Sequence, residues 1–438
     1  MKVNSQMKKE KLYWRRLDNS AKIFPISAGK KYSTVFRLSA ILTEEIEPSS
    51  LKEAVKKALS QYEFFKVRMK DGFFWNYLEY NPKEPIIEKE KEYPCTYIEP
   101  ARNNGYLFKI TYFEKKINID IFHSLTDGNS GVTFFREIIY NYIELTNKEE
   151  FKEELRITKK IDLSAEDSYI KNYDKKAKNN NSSKKAYQLE GKKTKFGAIS
   201  AIHEFINIKQ LKNECKQKDA TVTQYLTAVL IYSIYEANYL KARKNNAKRP
   251  IKVCIPVNLK KYFPSNTISN FFSYITLEAN MKDKKMSEFD NILEFVKKDF
   301  KSKLTEDEIQ KTMSSNVKLG INPIIKRIPL ILKKPLVRLS YIEIRKYTTT
   351  TFSNIGRIGI IGKYQKYIES FLMLIAPEPV EKIKCSACSF ENNIVFTFTS
   401  ILGNCEIEKS FYKFLISRGI EVKIESNGIL DIKNDNNF

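Results

Sequence analysis

Histidine is almost missing from this 438-residue chain, which has two, His123 and His203. Imidazole chemistry, whether proton transfer or metal ligation, must therefore rest on one of these residues. Long apolar runs are missing as well. None reaches the 18 residues of a membrane span, and the opening stretch "MKVNSQMKKEKLYW" lacks the apolar core of a signal peptide. The expectation is a soluble, cytoplasmic protein with no transmembrane segment. Cysteine occurs six times without a framework, at Cys95, Cys215, Cys254, Cys385, Cys388 and Cys405. The "CSAC" of residues 385–388 has redox or zinc-knuckle spacing, but no second pair and no nearby histidine complete a tetrahedral zinc set. An alternating strand pattern surrounds it, so reduced structural thiols and no metal are expected.

Negative charge is in deficit. Lys and Arg number 76 against 52 Asp and Glu, a formal net charge of +24. The excess is mostly lysine scattered along the chain, with no arginine cluster and no recognisable nucleic-acid module. No nucleic-acid partner is expected, although a general preference for anionic ligands follows from the charge.

What is present describes a globular chain: 42% hydrophobic, 13% aromatic and 29% charged residues. The length accommodates two or three domains with ample core. "YSTVFRLSAIL" (32–42) is strand-like, and "PSSLKEAVKKALSQY" (48–62) puts Leu51, Val55, Ala58 and Leu59 on one helical face. "GFFWNYLEYN" (72–81) reads as an aromatic strand whose rings belong to a core. "YLFKITYFE" and "KINIDIF" read as a hairpin. The polar stretch 171–195, "KNYDKKAKNNNSSKKAYQLEGKKTK", is the candidate crossover or flexible linker. Beyond it, "FGAISAIHEFINI", "IKVCIPV", "SNFFSYITLEA" and "NNIVFTFTSIL" are strands. "TVTQYLTAVLIYSIYEANYL" is a buried helix, and Thr305 with Glu308 opens another through a capping box. Both halves mix helices with strands, which suits two α/β layered subdomains.

The stretch "IFHSLTDGNS" (121–130) carries the chemistry. His123 ends a strand and is followed at offsets of four and five by Asp127 and Gly128, after which a helix begins. An imidazole at a strand end titrates near neutrality and can take a proton from a hydroxyl or amine attacking an acyl carbonyl. Asp127 would pin the loop, and Gly128 would permit a backbone path that other residues resist. His203, with no acidic or nucleophilic partner at a telling offset, reads as structural.

On "WRRLDNSAKIFP" (14–25), "VFRLSAIL" (35–42), "GFFWNYLEYN", "HSLTDG", "IPVNLKKYFPSNTISNFFSY" (255–274) and "TFSNIGRIGI" (351–360), in that order, the chain resembles the CoA-dependent acyltransferases of the chloramphenicol-acetyltransferase-like fold, nearest their bacterial alcohol acetyltransferase-like branch. The resemblance implies a two-subdomain pseudo-dimer (1–170 and 196–438, joined by 171–195) with a tunnel in which acceptor and acyl thioester meet at His123. It implies His123 as general base, a loop salt bridge from Asp127, and acyl-CoA as co-substrate with no bound cofactor. The branch's Asn-Leu-Arg segment reads "NLK" here, making Lys260 the candidate cation for Asp127. "SNIG" (353–356) makes Ser353 and Asn354 the oxyanion candidates. Condensation domains carry a second histidine where this chain has Phe122, and the plant branch's "DFGWG" is absent.

The leading expectation is therefore transfer of an acyl group, acetyl first, from acyl-CoA to the hydroxyl or amine of a small acceptor. A transferase fed by an acyl carrier protein and a degenerate ligand-binding relative are the alternatives. The basic-apolar run "IIKRIPLILKKPLVRLSY" (324–341) could lie on a membrane or line an acyl tunnel, but its prolines interrupt any long amphipathic helix, and a buried or interface segment with solvated lysines is the default reading.

Overall fold

The structure is a computed structural model that describes residues 14–152, 165–177, 184–195 and 197–430. Two large sheets organise it. The hairpin Phe108–Phe113 and Lys116–Phe122 forms as the alternation predicts, and Val35–Leu42 pairs antiparallel with its second strand. Ile117, Ile119 and Ile121 face helices Pro48–Gln61 and Gly128–Thr146 in one core. The alternating residues Asn118 and Asp120, on the opposite face, are buried too, beneath polar partners such as Ser39 and Arg37. There Arg37 donates to both Asp120 and Glu90, so the buried carboxylate of Asp120 has a cation.

The fifth strand of this sheet comes from far along the chain. Ile368–Ile375 pairs antiparallel with Val35–Leu42, although it lies within the segment assigned above to the C-terminal subdomain. The second sheet has seven strands. Parallel pairing of Thr350–Arg357 with Ile251–Asn258 and Ile383–Phe390 sits at its centre, and antiparallel strands flank it. Helix Val222–Ala237, with a capping box between Thr221 and Gln224, lies buried against this sheet. Of the crossover stretch, residues 184–195 pack rather than hang free. Tyr187 is fully buried, and its hydroxyl reaches the Asn238 side chain at 2.8 Å.

Two local readings change. The aromatic run 72–81 forms a strand only at Tyr77–Tyr80, because Gly72 N–H bonds Trp75 O in a turn. Phe73 and Phe74 are consequently exposed rather than core residues. The run 324–341 is only partly buried, at Leu330, Lys333 and Tyr341, and its other apolar residues are largely exposed; it breaks at Ile328–Pro329, between helices Pro323–Arg327 and Leu330–Arg345, but not at Pro335.

In "CSAC", the three-residue spacing on a strand sends the two thiols to opposite faces. Cys385 lies in one core and Cys388 in the other, so they cannot converge on one ion. All six cysteines are free.

Candidate active site

His123 stands where strand Lys116–Phe122 ends. Its N–H donates to Thr34 O at 3.0 Å, which continues the pairing with the neighbouring strand. Thr34 itself sits at φ 50°, a left-handed conformation costly for a β-branched residue. The imidazole is half-buried among three rings: Phe24 stacks on it at 5.0 Å, with Phe36 and Phe272 each at 5.2 Å.

The ring's orientation is set by Asn270. Its Oδ1 lies 3.0 Å from His123 Nδ1, while its Nδ2 donates to His123 O and to Asp18 Oδ2, each at 3.0 Å. An amide whose nitrogen is committed to two acceptors presents only its oxygen to the ring. Nδ1 must therefore carry the proton, and Nε2 keeps its lone pair. Asp18 fixes Asn270 in turn. Buried, it accepts from Asn270 N and Nδ2, Ala21 N and the Ser20 hydroxyl. Burial raises the Asp18 pKa above the usual aspartate value despite these donors. Burial also lowers the His123 pKa below its ordinary 6.5, against the opposing pull of Asn270 and Asp127. The ring is thus neutral at neutral pH, oriented, and basic at one known nitrogen.

Each following residue of the loop is tied down. Ser124 donates to Ala21 O and Thr126 to Ile268 O at 2.6 Å. Asp127 caps helix Gly128–Thr146 by accepting from Ser130 N at 2.9 Å, and its other oxygen accepts from Phe271 N at 3.2 Å. The expected ion pair with Lys260 is not made. Lys260 Nζ reaches the Ser130 hydroxyl at 3.3 Å, and among the described residues no cation pairs with Asp127. Backbone N–H groups and a helix N-terminus supply the positive partner instead. Gly128 also differs from expectation. It is the first helical residue, outside the left-handed region, and a Cβ there would meet Ile355 and Met373 at 3.5 and 3.7 Å, ordinary contact. Neither backbone strain nor a clash with the protein demands glycine.

The oxyanion candidates separate. Asn354 donates to the Thr223 hydroxyl at 3.1 Å and accepts from Gly356 N, so its amide is occupied. Ser353 is half-buried on the same strand, and among the described residues its hydroxyl has no hydrogen bond. His203 belongs elsewhere. It lines a cavity of about 1680 Å³ on the polar face of the five-stranded sheet, together with Arg37, Ser39 and Lys116, and His123 is not among the lining residues. Its Nδ1 bonds the Thr397 hydroxyl at 2.9 Å, and burial, with Lys116 and Arg37 nearby, pushes its pKa down to about 3.

Asn270 and Asp18 were not singled out from the sequence, though both lie in stretches that carried the family resemblance. No local pattern marks them, because their partners are 147 and 252 residues away.

The family model for alcohol acetyltransferases matches residues 152–320. The chain superposes on trichothecene 15-O-acetyltransferase from Fusarium sporotrichioides with TM-score 0.60 and 11% identity, over 92% of this chain and 95% of that one. It superposes on F. graminearum TRI101, solved with coenzyme A and T-2 mycotoxin, at 0.61 and 11%, over 94% and 99%. The first condensation domain of the CDA synthetase gives 0.58 and 10%, over 93% and 96%. No curated protein sequence matches. The fold is the two-lobed, chloramphenicol-acetyltransferase-like one.

Proposed function

We propose that this chain, built on the two-lobed fold of CoA-dependent acyltransferases, moves an acyl group from acyl-CoA to the hydroxyl or amine of a small acceptor. One observation carries the reading: a neutral imidazole whose Nδ1–H is held by Asn270, leaving Nε2 as the base. Nε2 removes the acceptor proton as oxygen or nitrogen attacks the thioester carbonyl. The tetrahedral oxyanion then collapses, the C–S bond breaks, and the departing thiolate takes the proton back from the imidazolium. Ser353 is the remaining donor candidate for the oxyanion. Asp127 holds the loop through two backbone N–H groups and does not exchange protons with substrate. The solved relative bound to coenzyme A and the alcohol acetyltransferase match support acyl-CoA as donor and acetyl as the first acyl group to try. Six free thiols suit the reducing cytoplasm, where we place the protein.

The test is thiol release from acetyl-CoA across a panel of alcohols, amines and sugars, run in parallel with acetylated carrier protein as donor. Turnover with acetyl-CoA that His123→Ala abolishes supports the reading. No thiol release with any acceptor overturns it, and turnover with carrier protein alone transfers the donor role there.

A further inference from the structure

Helix Leu330–Arg345 is fastened inside out. One of its two lysines points inward: Lys333 is buried, donates to Phe74 O at 3.0 Å and lies 3.5 Å from the centre of the Trp75 ring. Leu330 and Tyr341 are buried on the same side, and the Tyr341 hydroxyl bonds Glu378 at 3.0 Å. The opposite face, at helical spacing, carries Ile331 (79% exposed), Leu332, Pro335, Leu336 (60%) and Leu339 (67%). Phe73, 73% exposed, continues this surface at the helix start, where its carbonyl accepts from Leu330 N. Ile324, 74% exposed on the preceding helix Pro323–Arg327, extends it on the other side. The helix is anchored by its polar side, so this apolar face is held outward by design of the packing rather than left over from it.

Charge identifies the occupant. Lys326, Arg327 and Arg338 are exposed among the apolar residues, whereas Lys334 turns to the anchored side and pairs with Asp71 at 2.9 Å, and residues 323–341 contain no Asp or Glu. A second copy of this chain would bring the same cations against them, within molecules of formal charge +24. An anionic lipid surface offers both apolar depth and opposite charge. No described helix is long and apolar enough to cross a membrane, so the helix would lie in the interface plane. We propose that this face docks the protein peripherally on bilayers containing anionic phospholipid. The helix packs against Phe24–Ser27, whose Phe24 stacks on His123, so two helices, the docking one and Phe24–Ser27, would separate the lipid surface from the imidazole.

Flotation with vesicles of phosphatidylcholine, with and without phosphatidylglycerol, tests this without reference to turnover. The expected result is wild-type protein floating with the phosphatidylglycerol vesicles and weakly or not at all with phosphatidylcholine alone, and release by high salt. Arg338→Glu should weaken binding at least about fivefold, and the exposed pair Leu336→Gln/Leu339→Gln at least about tenfold, both with unchanged circular dichroism and melting. The proposal is overturned if wild type does not float, if these variants float equally well, or if wild type sediments as a dimer that the Leu336/Leu339 pair dissociates.

Discussion

A histidine becomes a base by what holds its other nitrogen. His123→Ala should lower the transfer rate about 10²- to 10⁴-fold with little change in melting temperature, measured by thiol release. Its lowered pKa means the acidic limb of the rate profile should fall below pH 6.5, since only there is Nε2 protonated. Asn270→Ala frees the tautomer that now points Nε2 at the substrate. It should cut kcat about tenfold or more with little effect on KM and move the acidic limb, a shift that a purely structural role would not give. His123 was legible because motif, strand and helix are contiguous. Asn270 was not, because the fold alone brings it to the ring. Asp127 shows the same limit: sequence predicts that a buried carboxylate needs a positive partner, but not that backbone N–H groups provide it. Asp127→Asn should cost about 1–3 kcal/mol, because its amide nitrogen faces an N–H donor whichever way it turns. A double-mutant cycle with Lys260→Ala should return a coupling below about 0.5 kcal/mol, since the two side chains are not paired.

At the scale of elements, periodicity located the main strands and the helices after residues 48, 128, 221 and 305, but not helices Ile208–Gln217, Phe289–Lys303 and Glu406–Ser417 or strand Ile368–Ile375. The expectation for 324–341 treated apolar residues as buried and prolines as breakers, and the chain does break at Ile328–Pro329. Beyond that break the helix turns Lys333 inward and leaves its apolar residues exposed, and it runs on through the exposed Pro335. A different mismatch lies between strand Ser200–Asn207 and helix Glu406–Ser417. Glu204 and Glu408 are buried, and among the described residues their carboxyl oxygens have no hydrogen-bond partner. Burial pushes Glu408 up to about 7 and raises Glu204 as well. An unfolded glutamate releases its proton near about 4.3, so folding takes up protons between that pH and about 7. Stability should therefore fall as pH rises through this window. Glu408→Gln should flatten the fall and stabilise the protein by about 1–3 kcal/mol at neutral pH, read from denaturant midpoints across pH.

For the whole molecule, sequence showed two α/β lobes but not how they share strands, because strand alternation carries no information about which sheet a strand joins. Ile368–Ile375 pairs with Val35–Leu42 along its whole length, and Ala376 N closes the same edge on Val35 O. Without it, Val35–Leu42 is a bare, apolar edge. On a ribosome the first lobe therefore waits, its sheet incomplete, until more than three-quarters of the chain has been made. It is a lobe whose last strand is dictated late, and during that interval the exposed edge is open to the wrong strand, including the same segment of a neighbouring nascent chain.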